Sequence, residues 1–351
     1  MSLNLPNARG YFNFLNIRDG KLVIAGWMIH PETAMDSFRI VIDGETVHEA
    51  PLMESQNLSD AFPFIPHSAR SGFNASIPYE RYAQKPGMRL ITITGLSGDK
   101  ETAKVETCYS EDLYPDQEFP KHLITRVANK VSENFFKASS LTSFRNFSEA
   151  IGRHADISTL KNLLDWGCGC GRLAVMFAGG TGIPGIYGCD IDAESIEWCR
   201  SNLKGDYRVI PPMPPTDYED SRFDLVLSAS VLTHLTKENQ LEWLKEIRRI
   251  LIPGGLFIAT VHGEFAAFFA FGRNAGDALK SGINDDARDG NLNGIAPPDY
   301  YRGTFQKKSY TEQVFGKYFN VLEYTEAGSL NFQDLIVMQK PLKRKPFWKL
   351  R

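Results

Sequence analysis

Leu163 and Leu164 run into Asp165 and Trp166, and then into Gly167-Cys168-Gly169-Cys170-Gly171-Arg172, so an apolar strand ends in a carboxylate and three alternating glycines. Glycine at that spacing lets the chain bend tightly and lets main-chain N–H groups approach a ligand where side chains would block it. A helix begins near Arg172, and Gly185 to Cys189 then reads as a second buried strand. It ends in Asp190, a carboxylate placed to accept hydrogen bonds from ribose hydroxyls. Strand, glycine loop, helix, strand and acid, in that order, describe a nucleoside-binding site.

Spacing separates two cofactor classes. A dinucleotide loop is G-x-G-x-x-G, whose third glycine packs the helix under a pyrophosphate; this chain has G-x-G-x-G. With Asp165 ahead of the first glycine, the segment resembles the first motif of class I S-adenosylmethionine-dependent methyltransferases, in which the loop wraps the methionine part of the cofactor. Two later segments extend the resemblance in the family's order. Phe223 to Leu235 is similar to its fourth strand and the turn beyond, and Ile252-Pro253-Gly254-Gly255-Leu256-Phe257-Ile258 to the junction into its fifth.

The resemblance implies an α/β fold with a Rossmann-like class I methyltransferase sheet, methyl transfer as the activity and S-adenosylmethionine as the cofactor. It also implies roles for residues. Asp165 and the loop residues Gly167, Cys168, Gly169 and Gly171 would hold the amino acid moiety. Arg172 either pairs with the cofactor carboxylate or begins the helix facing water. Asp190 would hold the ribose, Ile191 would lie against adenine, and Ser228, ending the fourth strand, joins the cofactor-binding set. The family's acid after the third strand is absent, because Pro211-Pro212-Met213-Pro214-Pro215 follows Tyr207 to Ile210. Backbone groups and the Met213 side chain are left to hold the adenine.

A methyl group on a sulfonium leaves readily, so aligning the acceptor supplies much of the rate. An alcohol acceptor of high pKa also profits from a base that takes its proton as the bond forms. His234 and His262 follow the fourth and fifth strands, at whose carboxyl ends ligands bind in open α/β sheets. His234 reads as the general base or as a residue pinning its loop, and His262 as a second candidate better suited to touching substrate. Tyr301 and Arg302 are further substrate-side candidates. Cys168-x-Cys170 has no partners at metal-ligand spacing, so both read as small loop residues and no metal is expected.

The elements that must position these residues divide the chain into residues 1–112, 113–157, 158–341 and 342–351. The first reads as a smaller all-β sandwich, with strands over Lys21 to Ile29, Phe38 to Ile42, Glu45 to Glu49 across an Asp43-Gly44 hairpin turn, Gly72 to Ile77, Met88 to Thr94 and Thr102 to Thr107. The second is a linker followed by a helical pattern from Lys121 to His154, which either packs over the cofactor cleft or simply connects. In the third, the methyltransferase domain, Phe265 to Phe271 is a short apolar helix. Gly272 to Asp299, rich in Gly, Asn and Asp, is long enough to read as a substrate lid. Ser309-x-x-Glu312 is then a capping box opening a helix, and Val321 to Tyr324 and Asp334 to Met338 are closing strands.

Gly26-Trp27 and Ser71-Gly72-Phe73 resemble words in the β-sandwich modules attached to bacterial glycosyltransferases and glycan-modifying methyltransferases. That likeness implies a saccharide or glycan-precursor hydroxyl as acceptor. Trp27 itself reads as core before sugar platform. The competing expectations are a small metabolite or natural product as acceptor, and a catalytically silent binding protein of the same fold. A net charge of −3 argues against nucleic acid as partner. No apolar run reaches membrane-spanning length, the N-terminal ten residues are too polar for a signal peptide, and five cysteines suit a reducing compartment, so the cytoplasm is expected. The tail, 342–351, mixes bases with bulky apolar groups, as a solvated terminus or a weak peripheral contact with an anionic membrane.

Overall fold

The computed structural model describes residues 8–342 apart from 64, 66, 111, 115–117, 129–131, 291 and 293. The tail, read as a solvated terminus or a weak peripheral membrane contact, lies outside the described residues from 343 onward. Among those described, no helix is long and apolar enough to cross a membrane.

The N-terminal strands are β1 (Arg9–Arg18), β2 (Lys21–Ile29), β3 (Ser37–Ile42), β4 (Glu45–Pro51), β5 (Met53–Glu54), β6 (Arg70–Pro78), β7 (Arg89–Ser97) and β8 (Lys100–Tyr109). They form two four-stranded antiparallel sheets, ordered β1-β2-β6-β5 and β4-β3-β7-β8. Alternate residues face inward, as a half-buried strand requires: Leu22, Ile24, Phe73 and Ile77 from one sheet meet Phe38, Ile40, Ile91 and Ile93 from the other. Asp43 and Gly44 take φ of 50° and 85°, the left-handed pair that a two-residue hairpin needs. β1 was not foreseen. A bulge between Phe12 and Phe14 changes its inward positions from Phe12 to Leu15, which breaks the alternation.

The second half holds β9 (Asn162–Trp166), β10 (Gly185–Asp190), β11 (Asp206–Val209), β12 (Phe223–Ser228), β13 (Leu251–Val261), β14 (Ile283–Arg288), β15 (Arg302–Gln306), β16 (Asn320–Ser329) and β17 (Gln333–Gln339). All but β14 and β15 form a seven-stranded sheet ordered β11-β10-β9-β12-β13-β17-β16, parallel as far as β13, with β17 and β16 antiparallel. Chain order reverses between β9 and β12, and such a switch point opens a crevice at the carboxyl ends of the strands. The Lys237–Ile250 helix that leads into β13 is capped by Thr236, whose side chain accepts from the Asn239 N–H, and buries Trp243, Leu244, Ile247 and Ile250. This is the expected class I methyltransferase architecture behind a smaller β domain.

Three expectations are corrected. Ser309 is not a helix cap: the helix runs Lys308–Phe315 behind Lys307, so Ser309 already lies inside it, and no side chain caps it. The presumed lid is partly regular. It contains the Ala275–Ala278 helix and β14, which pairs antiparallel with β15. The stretch from Lys121 onward is two helices, Lys121–Ala128 and Glu133–Gly152, the second capped by the Ser132 side chain.

The two halves share a core. Trp27 is only 4% exposed and sits among Phe62, Phe265 and Phe269, whose ring stacks on it at 6.0 Å, so it is neither a sugar platform nor core of the β domain alone. Arg9 pairs with Glu326 at 3.0 Å, and the Cys108 N–H donates to the Thr142 hydroxyl on the Glu133–Gly152 helix.

Candidate active site

Gly167, Gly169 and Gly171 have φ of 74°, 52° and 78°, a left-handed conformation that costs side-chain-bearing residues energy. Space demands glycine too: a Cβ on Gly169 would come within 2.7 Å of Val127, and one on Gly167 would strike Val231. The turn folds back on β10. Gly167 and Cys168 donate their N–H groups to the Cys189 carbonyl at 2.8 and 3.1 Å, and Gly169 donates to the Asp190 carboxylate at 2.8 Å. These amides are therefore engaged within the protein, and the glycines serve conformation and close approach more than ligand hydrogen bonding.

The loop forms one side of a cavity of about 140 Å³ at the switch point. Asp165 is 2% exposed at its floor and accepts from the Ala174 N–H at 3.1 Å, at the start of the helix that follows the loop. Burial pushes its carboxyl up to about 7. Arg172 also faces the cavity, and burial lowers its pKa; its only described hydrogen bond is a long one to the Ser139 hydroxyl, 3.4 Å. Among the described residues, neither Asp165 nor Arg172 is in an ion pair. Asp190 accepts from the Gly169 and Asp192 N–H groups, one on each oxygen, and its carboxyl is raised by burial. Ile191 lies beside it in the wall.

The Lys121–Ala128 helix closes over this side, with Arg126 and Val127 in the wall, so it is more than a connector. Arg126 forks between Asp192 and Glu194, 2.7 Å to each, and His122 joins Glu194 at 2.9 Å. Asp192 meanwhile caps the Ala193–Asn202 helix.

The rest of the lining includes Ser230, Val231, His234, Leu292, Tyr300 and Tyr301. His234 is held on several sides. Its Nδ1 lies 3.0 Å from the Arg302 carbonyl and 3.4 Å from the Asp289 carboxylate, and its ring stacks on Tyr301 at 4.1 Å. A carbonyl only accepts, so Nδ1 carries the proton and Nε2 is the basic nitrogen.

Five expected residues stand outside the wall, among them Arg302, which meets His234 through its carbonyl. Met213 is replaced there by Ile210, because the Pro212 carbonyl is bonded by the Trp243 indole and the Tyr300 hydroxyl, which fixes the proline segment. Ser228 is wholly buried, its hydroxyl without a partner, and Ala229 lines the cavity instead. Gly171 makes room for Cys199 on the Ala193–Asn202 helix and for Leu203 just beyond its end. His262 is stacked on Phe305 behind the cavity, its Nδ1 buried without a partner, and burial drives its pKa down to about 3. An imidazole so weakly basic is a poor proton acceptor. Among the described residues, no group of three or more His, Cys, Asp or Glu has the geometry to hold a metal ion.

Sequence reasoning missed Arg126, Ser195, Ser230, Leu292, Tyr300 and Asp289. Only Tyr300, next to Tyr301, carried a local signal.

Residues 164–259 match the family model described as a methyltransferase domain. Similar solved structures include a protein from Pyrococcus horikoshii, at 17% identity over 60% of this chain and 92% of that one, TM-score 0.41. Another is an S-adenosylmethionine-dependent methyltransferase from Methanosarcina mazei, 19% identical over 55% and 98%, TM-score 0.42. A third is the N-methyltransferase NodS from Bradyrhizobium japonicum in complex with S-adenosyl-L-homocysteine, 13% identical over 63% and 100%, TM-score 0.41. Residues 164–259 thus carry a methyltransferase domain, and the cofactor that the sequence resemblance implies for it is S-adenosylmethionine. The residues present fit that cofactor: a lone buried carboxylate and a lone buried guanidinium, facing one cavity, complement the ammonium and carboxylate of an amino acid.

Proposed function

We propose that the protein transfers a methyl group to a hydroxyl, with a saccharide or glycan precursor as the acceptor class. The observation that carries the hydroxyl reading is His234, which lines the same cavity as Asp165 and Arg172 and whose Nδ1 is held so that Nε2 is the basic nitrogen. When bound, S-adenosylmethionine supplies a methyl group on a sulfonium. Asp165 takes the cofactor ammonium, Arg172 the carboxylate and Asp190 the ribose hydroxyls, while Ile191 and Ile210 enclose the base. The acceptor enters the cavity beside the stacked His234 and Tyr301 rings, and His234 Nε2 removes its proton as the new O–C bond forms. The Arg126 helix and Leu292 keep water out.

The saccharide rests on the resemblance of the β domain to glycan-linked modules. Burial of Trp27 favours a second reading, a small metabolite as acceptor, because it removes the obvious sugar-stacking ring from the surface. Calorimetric titration with S-adenosylmethionine comes first, and absence of binding overturns the whole assignment in favour of a silent binding protein. Transfer of labelled methyl from S-adenosylmethionine to nucleotide sugars and oligosaccharides, against a panel of small hydroxylated metabolites, then separates the two acceptors.

A further inference from the structure

His234 is surrounded by one hairpin. β14 and β15 pair from Ile283–Gln306 to Arg288–Arg302, and the ladder continues one step further through the Asp289 N–H, which donates to the Tyr301 carbonyl at 3.3 Å. Three residues at that end then meet the imidazole: the Tyr301 ring on its face at 4.1 Å, with the Arg302 carbonyl at 3.0 Å and the Asp289 carboxylate at 3.4 Å, both at Nδ1. The hairpin is itself moored to the sheet. The Gln306 N–H donates to the His262 carbonyl, and the Thr304 hydroxyl to the Leu235 carbonyl, the residue after His234. The other titratable group facing His234 is His262, 6.1 Å away ring to ring, and its depressed pKa keeps it neutral. Asp289 is thus the anion on this imidazole.

We infer that Asp289 is the positioning residue of His234: its carboxylate, sharing the Nδ1 proton with the Arg302 carbonyl, fixes the tautomer that leaves Nε2 basic and offsets the charge the ring acquires. In the reaction, the acceptor O–H bond breaks toward Nε2 and the O–C bond forms as the C–S bond breaks. The resulting imidazolium is held by Asp289, which never takes the proton itself. Without Asp289 the Nδ1–H form is held by the Arg302 carbonyl alone, so the Nε2–H form, which has no lone pair at Nε2 for the acceptor, gains population. The inference rests on the base role proposed above. It adds that the segment between β13 and β16 is a holder for the base as well as a cover, so chemistry and substrate cover depend on the same hairpin.

The test uses the full chain labelled with ¹⁵N-histidine, so that the His234 nitrogen shifts report the tautomer without an acceptor. In Asp289→Ala the Nδ1–H form should give way to a mixture, and turnover with an acceptor found on the panel above should fall about 10- to 100-fold, the range for losing an orienting partner. S-Adenosylmethionine affinity should stay unchanged. Asp289→Asn, whose side-chain oxygen still accepts from Nδ1–H, should restore the tautomer and part of the turnover. An unchanged tautomer in Asp289→Ala overturns the inference. His234→Gln separates the two claims: full turnover there overturns the base role and Asp289's part with it, whereas an inactive His234→Gln beside a fully active Asp289→Ala overturns the inference alone.

Discussion

The two walls of the cavity are built in opposite ways. The cofactor wall comes largely from one run of chain, Asp165 to Ser195, and its polar groups are fixed by bonds to main chain close by: Asp165 to Ala174, Asp190 to Gly169 and Asp192, Asp192 to Glu194 and Ser195. The proposed acceptor wall is gathered from the turn after β12 and from the segment that ends at β15, and its proposed base, His234, is held by a carbonyl 68 residues further along the chain. The first wall presents opposite charges set by short-range geometry; the second presents aromatic rings and one imidazole set by tertiary packing. A cofactor shared by many enzymes needs the first kind, and an acceptor peculiar to one enzyme needs the second. The consequence is separability, since damage to one wall should leave the other's ligand untouched.

His234→Ala tests that most severely. Turnover should fall about 10²- to 10⁴-fold, the usual contribution of a general base, while S-adenosylmethionine affinity measured by calorimetry stays at the wild-type value. A parallel loss of affinity would mean that the walls are coupled.

Trp27→Ala strikes what stands beneath the acceptor wall. Trp27 belongs to the β domain but packs on Phe265 and Phe269 of the Glu264–Phe271 helix, so its loss should cost about 3–5 kcal/mol in urea unfolding, as for a large buried aromatic. One cooperative transition is expected for both halves. Two separate transitions would show that the β domain is an independent attachment.

Asp190→Ala moves to the cofactor wall. Affinity for S-adenosylmethionine should weaken by about 1–3 kcal/mol, the cost of orphaning bonded partners, because the Gly169 N–H loses its acceptor along with the ribose. Unchanged calorimetric affinity would remove the ribose role.

What the sequence made legible follows the same division. The Gly167–Gly171 turn, Asp165 and Asp190 were readable because the backbone conformation and the acid-after-strand logic are written in adjacent residues. The sheet was readable for a related reason: strands buried on both faces are continuous apolar runs. Asp289 was not, because its meeting with His234 exists only once β14 pairs with β15, and a segment rich in Gly, Asn and Asp carries no periodicity to reveal a strand. His262 misled, since position after a strand says nothing of whether Phe305 will cover the ring. Ser309-x-x-Glu312 misled because a cap is defined by backbone geometry, and the chain had already entered the helix at Lys308.

The carboxyl of Asp165 gives the cofactor wall a pH signature in stability and in binding. Burial raises it from an unfolded value near 3.8 to about 7, so between those limits the folded protein holds a proton that the unfolded chain releases. Stability of the ligand-free protein should therefore fall as pH rises through that window. A cationic ammonium favours the ionised form, so binding should expel the proton, and affinity should drop roughly tenfold per pH unit below 7. Calorimetry in buffers of different ionisation enthalpy counts the proton directly. No proton release at pH 6 would sever Asp165 from the ammonium.

Met213→Ala should do almost nothing. The Met213 side chain does not line the cavity, whereas Ile210 does, and the proline segment that carries Met213 is tied down by Trp243 and Tyr300 through the Pro212 carbonyl. Ile210→Ala is the informative partner, because it removes apolar surface from the wall where adenine is proposed to lie and should weaken S-adenosylmethionine by about 1 kcal/mol, the value of the buried methylenes lost. A strong effect of Met213→Ala beside a weak one of Ile210→Ala would mean that the proline segment moves when cofactor binds, bringing Met213 inward. The cofactor wall would then owe part of its form to the bound ligand, and no longer to short-range geometry alone.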